Sequence, residues 1–121
     1  MILDDLEALL RRRRTDAPAG SYSATLVTAP DRASRKIMEE AYELCHELTR
    51  PAVDRGRVTA EAADLLFHVL VGLVSVGVPL EEVLAELADR RAGSTSDDEA
   101  SVSAAGGATA TEDDDTVGDA R

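Results

Sequence analysis

The sequence of 121 residues predicts an all-α protein with four helices. Ala, Leu, Glu and Arg, which favour helices, are abundant, whereas aromatic residues make up only 2% of the chain. A β-sandwich normally contains more aromatic and β-branched residues. The apolar residues also recur every three to four positions, which is the spacing of one face of a helix.

The first predicted helix carries leucines at helical spacing: Leu3, Leu6, Leu9 and Leu10. Its acidic first turns and its four arginines at the end suit the helix dipole. Pro18 and Gly20 are expected to end it. Residues 17–29 are then expected to form a loop with the sequence Ser-Tyr-Ser-Ala-Thr at its centre.

The second helix is predicted to begin at Pro30, with Asp31 as its N-cap, and to run to about Thr49. One stripe of it is apolar: Ala33, Ile37, Ala41, Leu44, Cys45 and Leu48. We therefore expect this stripe, including the single cysteine of the chain, to face the core.

The third helix is predicted from Thr59, its N-cap, to about Val76. It is apolar on nearly every side, which is typical of a central core helix or a subunit interface. Gly77 is expected to end this helix, and Pro79 to open a fourth. The fourth has an apolar face of its own: Leu80, Val83, Leu84 and Leu87.

The net charge of −11 is spread unevenly along the chain. Residues 1–91 hold 16 acidic and 12 basic residues, whereas residues 92–121 hold 8 acidic residues and one arginine. We therefore predict a helical domain over 1–91 and an acidic, disordered tail over 92–121. Neither part has the basic surface that a general nucleic-acid binder needs.

Size and cysteine content indicate the setting in which the chain works. A domain of 91 residues buries a small core, so oligomerisation is a natural way to stabilise it. One cysteine excludes an intramolecular disulfide and favours the cytoplasm. The longest apolar run, residues 65–78, is short for a bilayer span and contains His68, so no membrane role is expected.

Carboxylates border the apolar faces of the second and third helices. At about 100° per residue, one ridge of the second helix carries four charges: Lys36, Glu40, Glu43 and Glu47. Glu39 points to solvent on the same wheel. Three residues form a single polar strip on the otherwise apolar third helix: Glu61, Asp64 and His68. A charge on such a strip is costly to bury unless it is paired or binds a cation.

If the second and third helices pack antiparallel, four carboxylates converge: Glu40, Glu43, Glu61 and Asp64. They would repel one another unless a divalent cation lay among them, and hard oxygen ligands favour Mg²⁺ or Mn²⁺. An alternative remains open, because each pair alone is also typical of a solvated helix surface. The position of Glu61 near a helix start is equally explained by the helix dipole.

Two further side chains near this strip are candidates for a role. His68, one turn from Asp64, is expected to be a core histidine that bonds the Asp64 carboxylate, because Mg²⁺ prefers oxygen ligands. Tyr22 has two interpretations of equal standing: it contacts the base or a phosphate of a nucleotide, or it anchors its loop to the core.

The motif Lys-Ile-Met-Glu-Glu-Ala-Tyr-Glu at 36–43 is followed, after 17 intervening residues, by Glu-Ala-Ala-Asp-Leu-Leu-Phe-His at 61–68. This pattern resembles the E-x-x-E … E-x-x-D signature of the MazG-like all-α NTP pyrophosphohydrolases. More narrowly, the chain is similar to the phosphoribosyl-ATP pyrophosphohydrolases of histidine biosynthesis. The first helix, the loop around Tyr22 and the closing helices extend the likeness over about residues 2–91.

The resemblance implies an antiparallel four-helix bundle completed by dimerisation, which hydrolyses phosphoribosyl-ATP to phosphoribosyl-AMP and pyrophosphate with Mg²⁺. Carried over by position, the metal ligands would be four carboxylates: Glu40, Glu43, Glu61 and Asp64. Glu39 would hold or orient the water, Glu40 or Glu43 would activate it, and Lys36 would contact phosphate. Met38 and Ser23 depart from the family pattern, which bears on substrate contacts more than on the carboxylates.

Two other functions compete with this interpretation. A general MazG-like pyrophosphohydrolase that clears non-standard nucleotides would share the metal site and differ in its substrate pocket. A helical dimerisation module without catalysis would leave the carboxylates on the core-facing strips unexplained.

Overall fold

A computed structural model describes residues 1–16 and 19–94 of the chain. These residues form five helices and no strand: α1 (Ile2–Thr15), α2 (Tyr22–Val27), α3 (Pro30–Leu48), α4 (Arg55–Ser75) and α5 (Leu80–Gly93). The all-α fold class is therefore confirmed, with one helix more than predicted. Pro18 and residues 95–121, which include most of the predicted tail, lie outside the described residues.

The additional helix, α2, replaces part of the loop predicted over 17–29. It has only six residues, so it is too short to show a helical period in the sequence. Its local signal is the N-cap Ser21, whose hydroxyl oxygen accepts a hydrogen bond from the backbone N–H of Ala24. Leu26 and Val27 at its end are buried, so packing stabilises this short helix.

The predicted N-caps of two helices were wrong, although α3 begins at Pro30 as predicted. Asp31 does not cap α3, because Ala29 occupies the N-cap position and Pro30 the first turn, which places Asp31 inside the helix. Thr59 does not cap α4, because Asp54 caps it one turn earlier and accepts a hydrogen bond of 3.1 Å from the backbone N–H of Arg57. Asp is a stronger N-cap than Thr.

The predicted end of α4 at Gly77 is confirmed. Gly77 adopts a φ of +75°, a left-handed conformation that disfavours residues with a side chain. Its N–H bonds the carbonyl of Val74, and the N–H of Val78 bonds the carbonyl of Leu73. This pair of bonds is a Schellman motif, which satisfies the last carbonyls of the helix.

Residues Met1–Leu80 form one compact unit, in which α4 is the helix that α1, α2 and α3 pack against. Every one of these helices contributes to its core: Leu10, Leu26, Val27, Ala33, Leu70, Val71, Val74 and Leu80.

By length and composition alone, α4 could also cross a membrane. Residues 81–94 belong to a second unit, in which Arg90 and Glu86 of α5 form an ion pair of 3.0 Å.

Helices α3 and α4 pack along each other as an antiparallel pair. Contacts run in opposite directions along the two chains: Glu47 lies 4.0 Å from Arg57, and Ile37 lies next to Gly72. A Cβ on Gly72 would be 3.1 Å from Cδ1 of Ile37, so glycine allows this close approach.

The buried side of α3 differs from the predicted apolar stripe. Its buried residues are Ala33, Glu40 and Glu47, which follow one another at seven-residue intervals. Cys45 is exposed, so the prediction that it is a core residue was wrong. The reason is that α4 covers the side of α3 that carries Ala33, Glu40 and Glu47, so the far edge of the stripe, with Cys45 and Leu48, stays exposed.

Candidate metal centre

Three of the predicted ligands come together between α3 and α4. One carboxylate oxygen from each of Glu40, Glu43 and Glu61 lies within 4.8 Å of the other two. Glu40 and Glu43 are one turn apart on α3, and Glu61 faces them from α4. The antiparallel packing of these two helices creates the cluster.

The cluster contains carboxylate oxygens that are both buried and unbonded. Glu40 is only 7% exposed. Among the residues that the structure describes, Oε1 of Glu40 and Oε1 of Glu61 have no hydrogen-bond partner. Buried polar atoms in native proteins nearly always have a partner, so these two oxygens point to a ligand of the cluster.

The electrostatics of the cluster favour a cation. Burial raises the pKa of Glu61 above its ordinary value, and the neighbouring carboxylates of Glu43, Asp64 and Glu40 raise it further. A divalent cation would remove this repulsion. Since every ligand atom is a carboxylate oxygen, the donor set fits a hard ion such as Mg²⁺ and does not fit a metal that requires thiolates.

Asp64, the fourth predicted ligand, is not part of this close group. It lies one turn after Glu61 on α4, is exposed, and adds negative charge near Glu61.

Lys36 and Glu39 lie beside the cluster. The ammonium of Lys36 is 3.1 Å from Oε1 of Glu39 and 3.4 Å from Oε2 of Glu40. The hydrogen bond to Glu39 raises the pKa of Lys36 above its ordinary value. Glu39 is exposed, as its position on the helical wheel predicted. Lys36 therefore holds one oxygen of Glu40 and leaves the other for the cluster.

Through His68, Tyr22 is connected to the turn of α4 that carries Glu61 and Asp64. Nδ1 of His68 lies 2.8 Å from the backbone carbonyl of Asp64, and Nε2 lies 3.3 Å from the hydroxyl of Tyr22. A carbonyl only accepts, so Nδ1 carries a proton, and in the neutral ring Nε2 accepts from Tyr22. The predicted partner of His68 was therefore wrong in one detail: His68 bonds the backbone of Asp64 rather than its carboxylate.

Sequence reasoning missed a cleft of about 350 Å³ between α2 and α3. It is lined by three residues of α2 and four of α3: Tyr22, Thr25, Leu26, Arg32, Arg35, Lys36 and Glu39. The signal was present in the sequence, since these three cations occupy the helical positions i, i+3 and i+4.

Glu47 was placed on the ridge by the sequence but given no role. It is buried, and its Oε2 lies 3.5 Å from Arg50 and 4.0 Å from Arg57. These ion pairs join the end of α3 to the start of α4, so Glu47 stabilises the turn between the two helices.

Comparison with known proteins identifies the family of the chain. The family described as phosphoribosyl-ATP pyrophosphohydrolase matches residues 3–91. A phosphoribosyl-ATP pyrophosphatase of Rhizorhabdus wittichii is 46% identical over 94 residues, which cover 77% of this chain and 86% of the relative. A phosphoribosyl-ATP pyrophosphatase of Methylobacterium nodulans is 43% identical, and the alignment covers 73% of this chain and 81% of the relative. One of Agrobacterium fabrum is 44% identical, and the alignment covers 77% of this chain and 85% of the relative. The chain belongs to the phosphoribosyl-ATP pyrophosphohydrolase family.

Proposed function

We propose that this protein hydrolyses phosphoribosyl-ATP to phosphoribosyl-AMP and pyrophosphate, the second step of histidine biosynthesis, in the cytoplasm. The observation that carries the proposal is the family match over residues 3–91, which includes every residue of the carboxylate cluster. Relatives named for this activity are similar over most of their own length.

The cluster of Glu40, Glu43 and Glu61 would hold Mg²⁺, with Asp64 as a fourth ligand and Mn²⁺ as a possible substitute. The two buried, unbonded oxygens of Glu40 and Glu61 support this assignment. When bound, the cation supplies charge neutralisation for the phosphate oxygens and the departing pyrophosphate.

Among the side chains, Glu43 is the best placed to take a proton from the attacking water. It is exposed, whereas Glu40 is buried and held by Lys36. As the water oxygen bonds to phosphorus, its proton passes to the carboxylate and the bridging α–β phosphoanhydride bond breaks. Glu39 would orient this water, and Lys36 and Tyr22 would contact the substrate from the adjoining cleft.

We also propose that the protein is a homodimer. Helix α3 bears two large exposed side chains, Met38 and Tyr42, and α4 exposes Leu66 and Val69. An apolar groove of about 270 Å³ runs between the two helices. Exposed apolar patches of this kind mark protein interfaces. Sedimentation of the wild type and of Tyr42→Glu would test the assignment, with a monomeric variant expected.

The proposed domain organisation has a separate test. We propose that residues 1–91 carry the activity and that the acidic segment 92–121 does not contribute to it. Truncation after Ser94 removes most of the acidic segment. Unchanged kcat and KM in the truncated protein are expected, and loss of activity would contradict this division.

The central experiment is Mg²⁺-dependent release of pyrophosphate from phosphoribosyl-ATP. Glu40→Gln and Asp64→Asn should fold and lose most of this activity, whereas Glu82→Gln, a change on the exposed surface of α5, should retain it. Near-normal turnover in the first two variants would disprove the assigned site. Faster turnover of dUTP or dCTP than of phosphoribosyl-ATP would instead identify a general nucleotide pyrophosphohydrolase.

A further inference from the structure

The ridge of α3 that carries the carboxylate cluster continues toward the N-terminus of the helix as a row of cations. Arg32, Lys36 and Glu40 follow one another at four-residue intervals, so they lie on one side of α3. At 1.5 Å per residue, Arg32 lies about 12 Å from Glu40 along the helix axis. The ridge therefore has an anionic half for a metal and a cationic half at the cleft between α2 and α3.

The cations of this cleft are not equally available to a ligand. Lys36 is engaged by Glu39 and Glu40, and Arg35 lies 3.7 Å from Asp31. Among the residues that the structure describes, Arg32 has no carboxylate within 4.0 Å, although it lines the cleft and is exposed. Arg32 also lies in the first turn of a helix of 19 residues, where the helix dipole adds positive potential.

The substrate of the proposed reaction has a second anionic group that the metal does not need. In phosphoribosyl-ATP, a monophosphate on the added ribose is separated from the triphosphate by that ribose, the purine and the nucleotide ribose. A substrate with its triphosphate at the carboxylate cluster must place this monophosphate some distance along the protein. The planar guanidinium of arginine matches a phosphate group through paired hydrogen bonds.

We infer that the cleft between α2 and α3 is the subsite for the phosphoribosyl monophosphate, with Arg32 as its principal contact and Arg35 as the second. This inference rests on the proposed function. The subsite determines specificity: it distinguishes phosphoribosyl nucleotides from ordinary nucleotides, which lack the distal phosphate. The cleft volume of about 350 Å³ is in the range of small-molecule sites.

The test compares two ligands that differ by the phosphoribosyl group, the ribose with its distal phosphate. Calorimetric titration of the Mg²⁺-loaded full chain with phosphoribosyl-AMP and with AMP gives the affinity contributed by that group. In the wild type, we expect phosphoribosyl-AMP to bind at least about tenfold more tightly than AMP, since a charge-assisted hydrogen bond contributes roughly this much. Arg32→Gln should reduce this preference by about tenfold and leave AMP affinity unchanged.

Steady-state kinetics provide a second measurement. Arg32→Gln should raise the KM for phosphoribosyl-ATP about 10- to 100-fold and leave kcat within about twofold, because the distal phosphate does not react. Arg12→Gln is the matched control: it removes the same charge from an exposed position on α1 outside the cleft. It should leave both constants unchanged.

The outcomes separate this inference from the proposed function. Equal loss of AMP and phosphoribosyl-AMP affinity in Arg32→Gln, or no loss of either, would overturn the subsite while wild-type turnover of phosphoribosyl-ATP stands. Failure of the wild type to release pyrophosphate would overturn the proposed function. In that case, the ratio of the binding constants of phosphoribosyl-AMP and AMP, compared between the wild type and Arg32→Gln, would still test the subsite.

Discussion

The hydroxyl of Tyr22 donates a hydrogen bond to Nε2 of His68 across a distance of 3.3 Å. The two residues are 46 positions apart, so this bond fastens α2 to α4. Because Nδ1 of His68 also holds the carbonyl of Asp64, the bond reaches the turn of α4 that carries Glu61 and Asp64. This contact supports the interpretation that Tyr22 anchors its segment to the core. Tyr22 also lines the cleft between α2 and α3, which is compatible with the other interpretation, a contact with the nucleotide.

Replacing Tyr22 by Phe should weaken this connection without disturbing the apolar contacts of the ring. Tyr22 is 55% exposed, so the lost hydrogen bond should lower the free energy of unfolding by about 0.5–1 kcal/mol. Urea denaturation measures the change. Tyr42→Phe is the matched control, since Tyr42 is 72% exposed and stacks on His46. An equal effect of the two substitutions would show that the Tyr22–His68 bond contributes nothing.

A second prediction concerns the start of α4. Asp54→Ala removes the side chain that caps this helix and should lower the free energy of unfolding by about 1 kcal/mol. Asp31→Ala is the matched control, because Asp31 lies in the first turn of α3, is exposed and makes only a surface ion pair of 3.7 Å with Arg35. Thermal unfolding of both variants measures the two losses of stability, and the loss in Asp54→Ala should be the larger. A larger loss for Asp31→Ala would mean that the caps are assigned to the wrong residues.

The sequence predicts most of α1, α3, α4 and α5, because each is long enough to repeat its apolar spacing several times. Helix α2 could not be found in this way, since six residues give less than two turns. The wrong caps have a related cause. Several Asp and Thr residues near a helix start can serve as N-caps, and only the backbone path selects the one that bonds an N–H.

Three residues of the cluster could be predicted from the sequence, but its geometry could not. The wheel placed Glu40, Glu43 and Glu61 on facing ridges, and the structure brings their oxygens within 4.8 Å of one another. The helical wheel could not show that α4 covers this ridge of α3 and buries Glu40 and Glu47. That choice depends on how two helices pack, which Gly72 permits by its missing side chain. The cleft lined by Arg32 needs α2, so it could not be predicted without that helix.

A third prediction follows from repulsion within the carboxylate cluster. Without a divalent cation, Glu61→Gln should raise the melting temperature, since it removes a negative charge that lies among others. Mg²⁺ should raise the melting temperature of the wild type strongly and that of the variant much less. Glu82→Gln, on the exposed surface of α5, should respond to Mg²⁺ as the wild type does. A lower melting temperature for metal-free Glu61→Gln would contradict a repulsive cluster.

The pH dependence of the metal-free protein provides the last prediction. The pKa of Glu61 is raised in the folded state, so the folded protein binds more protons at this site than the unfolded chain does. Stability should therefore fall as the pH rises from the ordinary pKa of glutamate, 4.5, through the raised value, and should change no further above it. Since other groups titrate in the same range, the measurement is the difference in melting temperature between Glu61→Gln and the wild type at each pH. In metal-free buffer this difference should widen in favour of the variant as the pH increases. In saturating Mg²⁺ this trend should disappear, because the cation holds Glu61 deprotonated. In metal-free buffer, a difference in melting temperature that does not depend on pH would show that the pKa of Glu61 is not raised.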